Sequence, residues 1–292
     1  MRAGGFRGRL VADCPLSPYT TWRIGGPADL LAVPADEEDL RLALAWAAEH
    51  SIPWRVLGNG SNILVRDEGV RGLVLRVRKI LDAVRREGCR LHAGAGALFP
   101  AVAREAAVAG LAGIEFGAGI PGTIGGAIVM NAGWHEFELG NVAECVEFME
   151  GDGTTRSYRR EDCEFRYRGS RFRDRTGIVL SATLLLTQGD AREIASRLEQ
   201  FADSRKANQP TDQPSCGSVF LKPEGDFAGR LIEAAELKGF RLGDVQVSPR
   251  HANFFVNLGR ATAADVLRAV EHVEREVEAK FGVRLVREFE VW

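Results

Sequence analysis

The chain contains no C-x-x-C pair, and its five cysteines, Cys14, Cys89, Cys145, Cys163 and Cys216, are odd in number and widely spaced. This excludes a disulfide framework and a cysteine-built zinc site, and predicts free thiols in a reducing compartment. His50, His92, His135, His251 and His272 show no metal-ligand spacing either, so no metal is expected. Net charge is almost absent: a formal charge of -2 and a pI near 6.3 exert no global pull on nucleic acid or acidic lipid. No stretch reaches the length of a membrane span, and no apolar segment follows Arg2, Arg7 and Arg9. The expected protein is a cytoplasmic monomer that binds small molecules and neither nucleic acid nor membrane. Internal repeats and low-complexity tracts are also missing.

What is present is an ordinary globular mixture, 45% hydrophobic and 27% charged over 292 residues, enough for a sizeable core in two or three domains. Asp36 to Asp39 open a helix with Leu40, Leu44 and Ala47 on one face. Residues 98–109, 191–206 and 228–236 read as further helices, and Thr262 with Asp265 caps a long one that ends near Phe281 before Gly282. Strands are expected at 54–57, 63–65, 73–77, 89–93, 142–150, 155–158, 178–186, 245–247, 253–256 and 283–291, with a turn at Gly151-Asp152-Gly153 and a linker over 208–214. Helices and strands interleave without strict alternation, which predicts an α+β protein.

The chain is organised around residues 113–133, which hold seven glycines among Ile124, Ile128, Val129 and Met130. Such density argues against an ordinary helix or strand and for bare backbone, which phosphates use because successive N–H groups form an anion-binding concavity. A tightly packed buried turn is the alternative. Gly117, Gly119 and Gly122 match G-x-G-x-x-G, but Pro121 and the glycine-rich residues before the loop break the strand-to-helix context of a dinucleotide fingerprint. Gly58-Asn59-Gly60-Ser61-Asn62 is a second such loop, readable as a phosphate cradle or as a hairpin turn. Neither loop ends in Gly-Lys-Ser/Thr, so neither is a nucleotide-hydrolysing P-loop. Taken alone, Arg168 reads as a solvated strand-edge charge, Ser218 as a turn or cap hydroxyl, and Glu288 as an exposed strand carboxylate sharing a face with Glu290.

Several segments, in order, carry a resemblance: Thr21 to Asp29, Leu57 to Val65, Gly119 to Ala127, Met130-Asn131-Ala132-Gly133, Tyr167-Arg168-Gly169-Ser170, Gly217-Ser218-Val219-Phe220 and His251-Ala252-Asn253-Phe254. Together they resemble the UDP-N-acetylenolpyruvoylglucosamine reductase (MurB) family of flavoproteins, in its shorter type without a tyrosine-bearing insertion. The resemblance implies an FAD-binding fold of the vanillyl-alcohol-oxidase type. Two α+β lobes, residues 1–78 completed by 283–292 and residues 79–206, would hold FAD, and an α+β domain over 207–282 would bind substrate. By position, the cofactor residues would be Leu57, Gly58, Asn59, Gly60, Ser61, Asn62, Ile63, Ile120, Pro121, Gly122, Thr123, Gly125, Gly126, Asn131 and Gly133.

The implied reaction is reduction, with NADPH as hydride donor, of a UDP-sugar enolpyruvyl ether to its lactyl ether for peptidoglycan synthesis. Arg168 would face the substrate carboxylate, Ser218 would donate the proton and Glu288 would help hold the site. Tyr167, Lys206, Lys238, His251 and Asn253 would contact the UDP-sugar. Another FAD-dependent oxidoreductase of this fold, acting on an alcohol or a different sugar, is the alternative. Two stretches depart from the family pattern: Trp134-His135-Glu136 follows Asn-Ala-Gly, and Leu221-Lys222-Pro223 follows Phe220.

Overall fold

A computed structural model describes residues 5–292. It divides into two compact units, one comprising residues up to Ala12, Leu30–Asn59 and Gly72–Ser204, the other Asp13–Asp29, Gly60–Arg71 and Arg205–Trp292. The chain passes between units within the strands Arg9–Pro15, Pro27–Val33 and Val70–Arg76, between Asn59 and Gly60, and within the helix Ala191–Asn208.

The first unit has two hydrophobic cores. In one, helix α1 (Glu37–Glu49) buries Leu40, Ala43, Leu44 and Ala47 beside Leu73, Leu75 and Ile178. Its start is set by Asp36, whose carboxylate accepts from the Asp39 amide at 3.1 Å, and by three acidic residues in the first turn, which face the positive end of the helix dipole. Trp54–Leu57 pairs in parallel with Leu73–Arg76.

The other core lies on a five-stranded antiparallel sheet in the order Thr155–Arg159, Ala143–Glu150, Gly177–Leu185, Arg90–Gly94, Val84–Glu87. Gly177–Leu185 is central and largely buried, as its mostly apolar run predicts, with Ser181 and Thr183 only half-buried. Helix α2 (Phe99–Val108) packs its buried face, Phe99, Val102, Ala103 and Ala106, into this core. The six-residue helix α3 (Ile124–Val129) lies against Gly177–Leu185 and Arg90–Gly94. Helix α4 (Ala191–Asn208) continues two residues beyond the expected end at 206.

In the second unit, Arg241–Leu242, Val245–Val247 and Phe255–Asn257 form an antiparallel sheet covered by helix α6 (Ala263–Phe281), with helix α5 (Ala228–Ala234) beside it. Helix α6 buries Val266, Ala269, Val270, Val273 and Val277, a helical stripe, and has both its expected caps: the reciprocal Thr262–Asp265 box and left-handed Gly282 at φ +68°. Residues 13–29 and 60–71, expected in the first lobe, belong to this unit, and Trp22, Ile24 and Leu64 among them enter its core. Trp22, 1% exposed, donates from its indole nitrogen to the Phe255 carbonyl at 2.9 Å and meets Phe289 edge-on.

Of the two readings of the Asn59-Gly60 segment, the hairpin turn fails, because its flanking strands pair elsewhere: Trp54–Leu57 with Leu73–Arg76, and Ile63–Leu64 in parallel with Glu290–Val291. One expectation needs correction. The final strand spans only Glu290–Val291. Upstream of it, residues 286–288 are engaged by single contacts with the segment after Ser218, so Glu288 and Glu290 are not successive outward residues of one regular strand.

Candidate active site

The loop between the strands Trp54–Leu57 and Ile63–Leu64 shows backbone groups waiting for acceptors. The amides of Gly58, Asn59, Gly60, Ser61 and Asn62 donate to no described residue, although buried or half-buried amides are nearly always paired within a protein. The same holds for the Gly122 and Thr123 amides. Gly58 and Asn59 lie in the first unit with the second loop and touch it: Asn59 donates from its side chain to the Pro121 carbonyl, and a Cβ on Gly58 would stand 2.7 Å from Thr123 Oγ1. Successive unpaired N–H groups on close-approach glycines are the donor set a pyrophosphate requires, so Gly58, Asn59, Gly122 and Thr123 of the first unit fit FAD.

Other cofactor residues expected from sequence are otherwise engaged. The Gly125 amide donates to the Ala95 carbonyl at 2.9 Å, as that of neighbouring Ile124 does to Ala97, and the Gly126 amide to Thr123 Oγ1 at 3.4 Å. The start of α3 is therefore satisfied internally. Gly125 is glycine for packing, since a Cβ there would lie 2.9 Å from Ala95 Cβ. Ile120 closes a 3-10 turn through its amide to the Gly117 carbonyl. Leu57 and Ile63 are buried strand residues, and Asn62 donates from its side chain to the Glu288 carbonyl at 3.3 Å.

Gly133 starts a short hairpin with Phe137 and Glu138, and a Cβ there would strike the Phe137 carbonyl at 2.2 Å. Asn131 is 1% exposed, and its side chain is spent on Gly140, Glu138 and the Arg166 carbonyl.

Arg168 belongs to the first unit. It occupies the tip of a tight turn closed by Arg166 N to Gly169 O at 3.0 Å and Gly169 N to Arg166 O at 3.1 Å. Its backbone is left-handed at φ +53°. The guanidinium lies 4.9 Å from the centre of the Tyr167 ring and donates to the Gly133 carbonyl at 3.2 Å. Tyr167 is half exposed.

Ser218 and Glu288 are in the second unit, and the structure brings them together. The segment containing Ser218 bridges Phe254 on one side and, through Phe220, Arg287 on the other. Val219 donates to the Asn253 carbonyl and accepts from the Glu288 amide, both at 2.8 Å. The Ser218 hydroxyl is half-buried and bonds to no described residue. Neighbouring Cys216 is fully buried, and its thiol is pushed well above its ordinary range by burial and then by the Glu288 charge.

The proposed substrate residues divide. Asn253 is 7% exposed and gives both ends of its amide to Phe220, accepting from its N–H at 3.0 Å and donating to its carbonyl at 2.8 Å. It is a clamp on the Ser218 segment. Lys238 pairs with Glu233 at 2.8 Å, and Lys206 is exposed on α4. His251 accepts at Nδ1 from the Asn253 amide at 3.2 Å, leaving Nε2 to carry the proton, and packs edge-on to Phe254.

Burial, then Lys238, lowers the His251 pKa below 6.5. The folded chain therefore binds this proton less readily than the unfolded chain. Stability from His251 is present above pH 6.5 and is lost as pH falls through 6.5 toward the lower folded value. NMR titration should place its midpoint below 6.5, and Lys238→Ala should raise it. A midpoint indifferent to that substitution would remove Lys238 as a neighbour.

Sequence reasoning missed the supports of the Arg168 turn, Glu138 and Arg173. Their only signal was lying near the Asn-Ala-Gly and Tyr-Arg-Gly-Ser motifs. Among the described residues no cluster of His, Cys, Asp or Glu could hold a metal, and no helix is long and apolar enough to cross a membrane.

The fold and the loop amides define an FAD-binding protein: residues 28–157 match the family model of an FAD binding domain. Residues 209–292 match the C-terminal domain of UDP-N-acetylenolpyruvoylglucosamine reductase. The chain is 45% identical over 287 residues to the reductase of that name from Heliobacterium modesticaldum, covering 98% of this chain and 91% of the relative. It is 46% identical to the one from Rubrobacter xylanophilus, with 96% and 94% covered. The crystal structure of the Thermus caldophilus enzyme superposes with a TM-score of 0.84 at 40% identity, covering 98% of this chain and 99% of that one. The chain belongs to the UDP-N-acetylenolpyruvoylglucosamine reductase family.

Proposed function

We propose that this protein is the NADPH-dependent flavoenzyme that reduces UDP-N-acetylglucosamine enolpyruvate to UDP-N-acetylmuramate, in the cytoplasm and as a monomer. Full-length similarity to reductases of that name supports the substrate class. The observation that carries the chemistry is the Ser218 hydroxyl, unspent and next to Val219, whose carbonyl accepts from the Glu288 amide.

What FAD supplies when bound is hydride transfer, accepted from NADPH and passed to the terminal alkene carbon. The Gly58 to Asn62 loop, Gly122 and Thr123 would hold the pyrophosphate of FAD at their unpaired amides. Hydride arrival makes the substrate an enolate with charge gathered on its carboxylate, and the Arg168 guanidinium stabilises that charge. Ser218 gives its hydroxyl proton to the other former alkene carbon and recovers one from solvent. Glu288 helps hold the substrate and the serine in register. Tyr167, Lys206, Lys238 and His251 contact the UDP-sugar, with the lysines facing the diphosphate as point charges.

The test is an absorption spectrum of the purified protein followed by turnover. A flavin spectrum, bleached by NADPH and restored by the UDP-enolpyruvyl sugar, is expected. A colourless protein that takes up no FAD would overturn the cofactor assignment. Reoxidation only by alcohols would point to another oxidoreductase of this fold.

A further inference from the structure

The turn that carries Arg168 hangs from the exit of α3. Asn131, two residues past that helix, is buried and left-handed at φ +43°. Its Oδ1 accepts from the Gly140 amide at 2.8 Å, and its Nδ2 donates to Glu138 Oε2 at 2.7 Å and to the Arg166 carbonyl at 3.1 Å. Arg166 is the first residue of the turn. Fully buried Ser170 donates at its other end to the carbonyl of Val129, the last residue of α3, at 3.0 Å. Arg173 donates to the carbonyl of Arg168 itself at 3.0 Å. An arginine at φ +53° keeps that conformation only where neighbours hold it. At its other end, α3 starts at Thr123, whose amide and that of Gly122 are among the unpaired ones. Six residues of helix, roughly 9 Å, separate the two ends.

We infer that Asn131 is a positioning residue for the reaction, fixing the Arg168 guanidinium relative to the cofactor loop at the far end of α3. The inference rests on the reading of Arg168 as the substrate-facing cation. Without the Asn131 amide, the Arg166 carbonyl keeps only the Gly169 amide within the turn, nothing ties that end of the turn to the exit of α3, and the cation drifts from the developing charge.

Asn131→Gly separates the side chain from the backbone, because glycine adopts the left-handed conformation without strain. In the FAD-loaded variant, NADPH should bleach the flavin at the parental rate, while reoxidation by the UDP-enolpyruvyl sugar slows about 10- to 100-fold. The NMR signal of the Arg168 guanidinium, with or without flavin, should broaden or shift. Combined with Arg168→Ala, Asn131→Gly should add almost nothing, since both remove one device. Additive losses, equal slowing of both half-reactions, or an unmoved guanidinium signal would overturn the inference and leave Asn131 a structural residue only.

Should Asn131→Gly fail to fold, the half-buried Arg173→Ala tests the same turn: a milder slowing that vanishes in the Arg168→Ala background supports the inference, and one that persists overturns it. If Arg168→Ala alone reoxidises at the parental rate, the reading of Arg168 itself has failed, and the result is distinct from a failure confined to Asn131.

Discussion

Ser218→Ala should yield a yellow, folded protein whose flavin is bleached normally by NADPH but which forms product about 10²- to 10⁴-fold more slowly, the range expected for a lost general acid. Folding should be preserved because the hydroxyl bonds to no described residue and so leaves no protein group unpaired. The backbone at this position is fixed independently, by Val219 between Asn253 and Glu288 and by the two Asn253–Phe220 contacts. Loss therefore falls on the step that delivers a proton to carbon. Run in heavy water, the parent enzyme should place deuterium at the carbon next to the substrate carboxylate. Full turnover by the variant would remove Ser218 from that role.

Arg168→Ala should slow flavin reoxidation by the UDP-enolpyruvyl sugar about 10²- to 10³-fold while sparing flavin reduction, as expected when a preorganised donor to a developing oxyanion is removed. Arg168→Lys should recover only part of this. A lysine keeps the charge but loses the planar fork that lies beside Tyr167 and reaches the Gly133 carbonyl. Stopped-flow absorbance separates the half-reactions. Equal rates for the lysine variant and the parent would show that charge alone suffices, and an unaffected alanine variant would end the assignment.

Elements with local causes were legible in the sequence. Helix α6 has its stripe, its capping box and its terminal glycine in the expected places, and the Gly177–Leu185 strand follows its apolar run. The Asn59-Gly60 loop was ambiguous because a hairpin and a ligand loop use the same residues, and only the pairing of its flanking strands with different partners decides between them. Gly125 and Gly126 matched the cofactor pattern, yet their amides are taken by Ala95 and Thr123. Asn253 and Asn131 read as ligand contacts because asparagine near a motif looks alike whether its amide faces a substrate or the chain's own backbone.

By itself the sequence determined the α+β class, the glycine loops and the presence of Arg168, Ser218 and Glu288 in recognisable settings, since propensity, periodicity and capping act over a few neighbouring residues. Tertiary structure alone decided that Glu288 lies beside the Ser218 segment, 70 positions away, that Trp22 seals the C-terminal core, and that Asn131 holds the Arg168 turn. Those outcomes depend on hydrogen bonds and packing between distant segments, where each group takes whichever partner the completed fold places within about 3 Å.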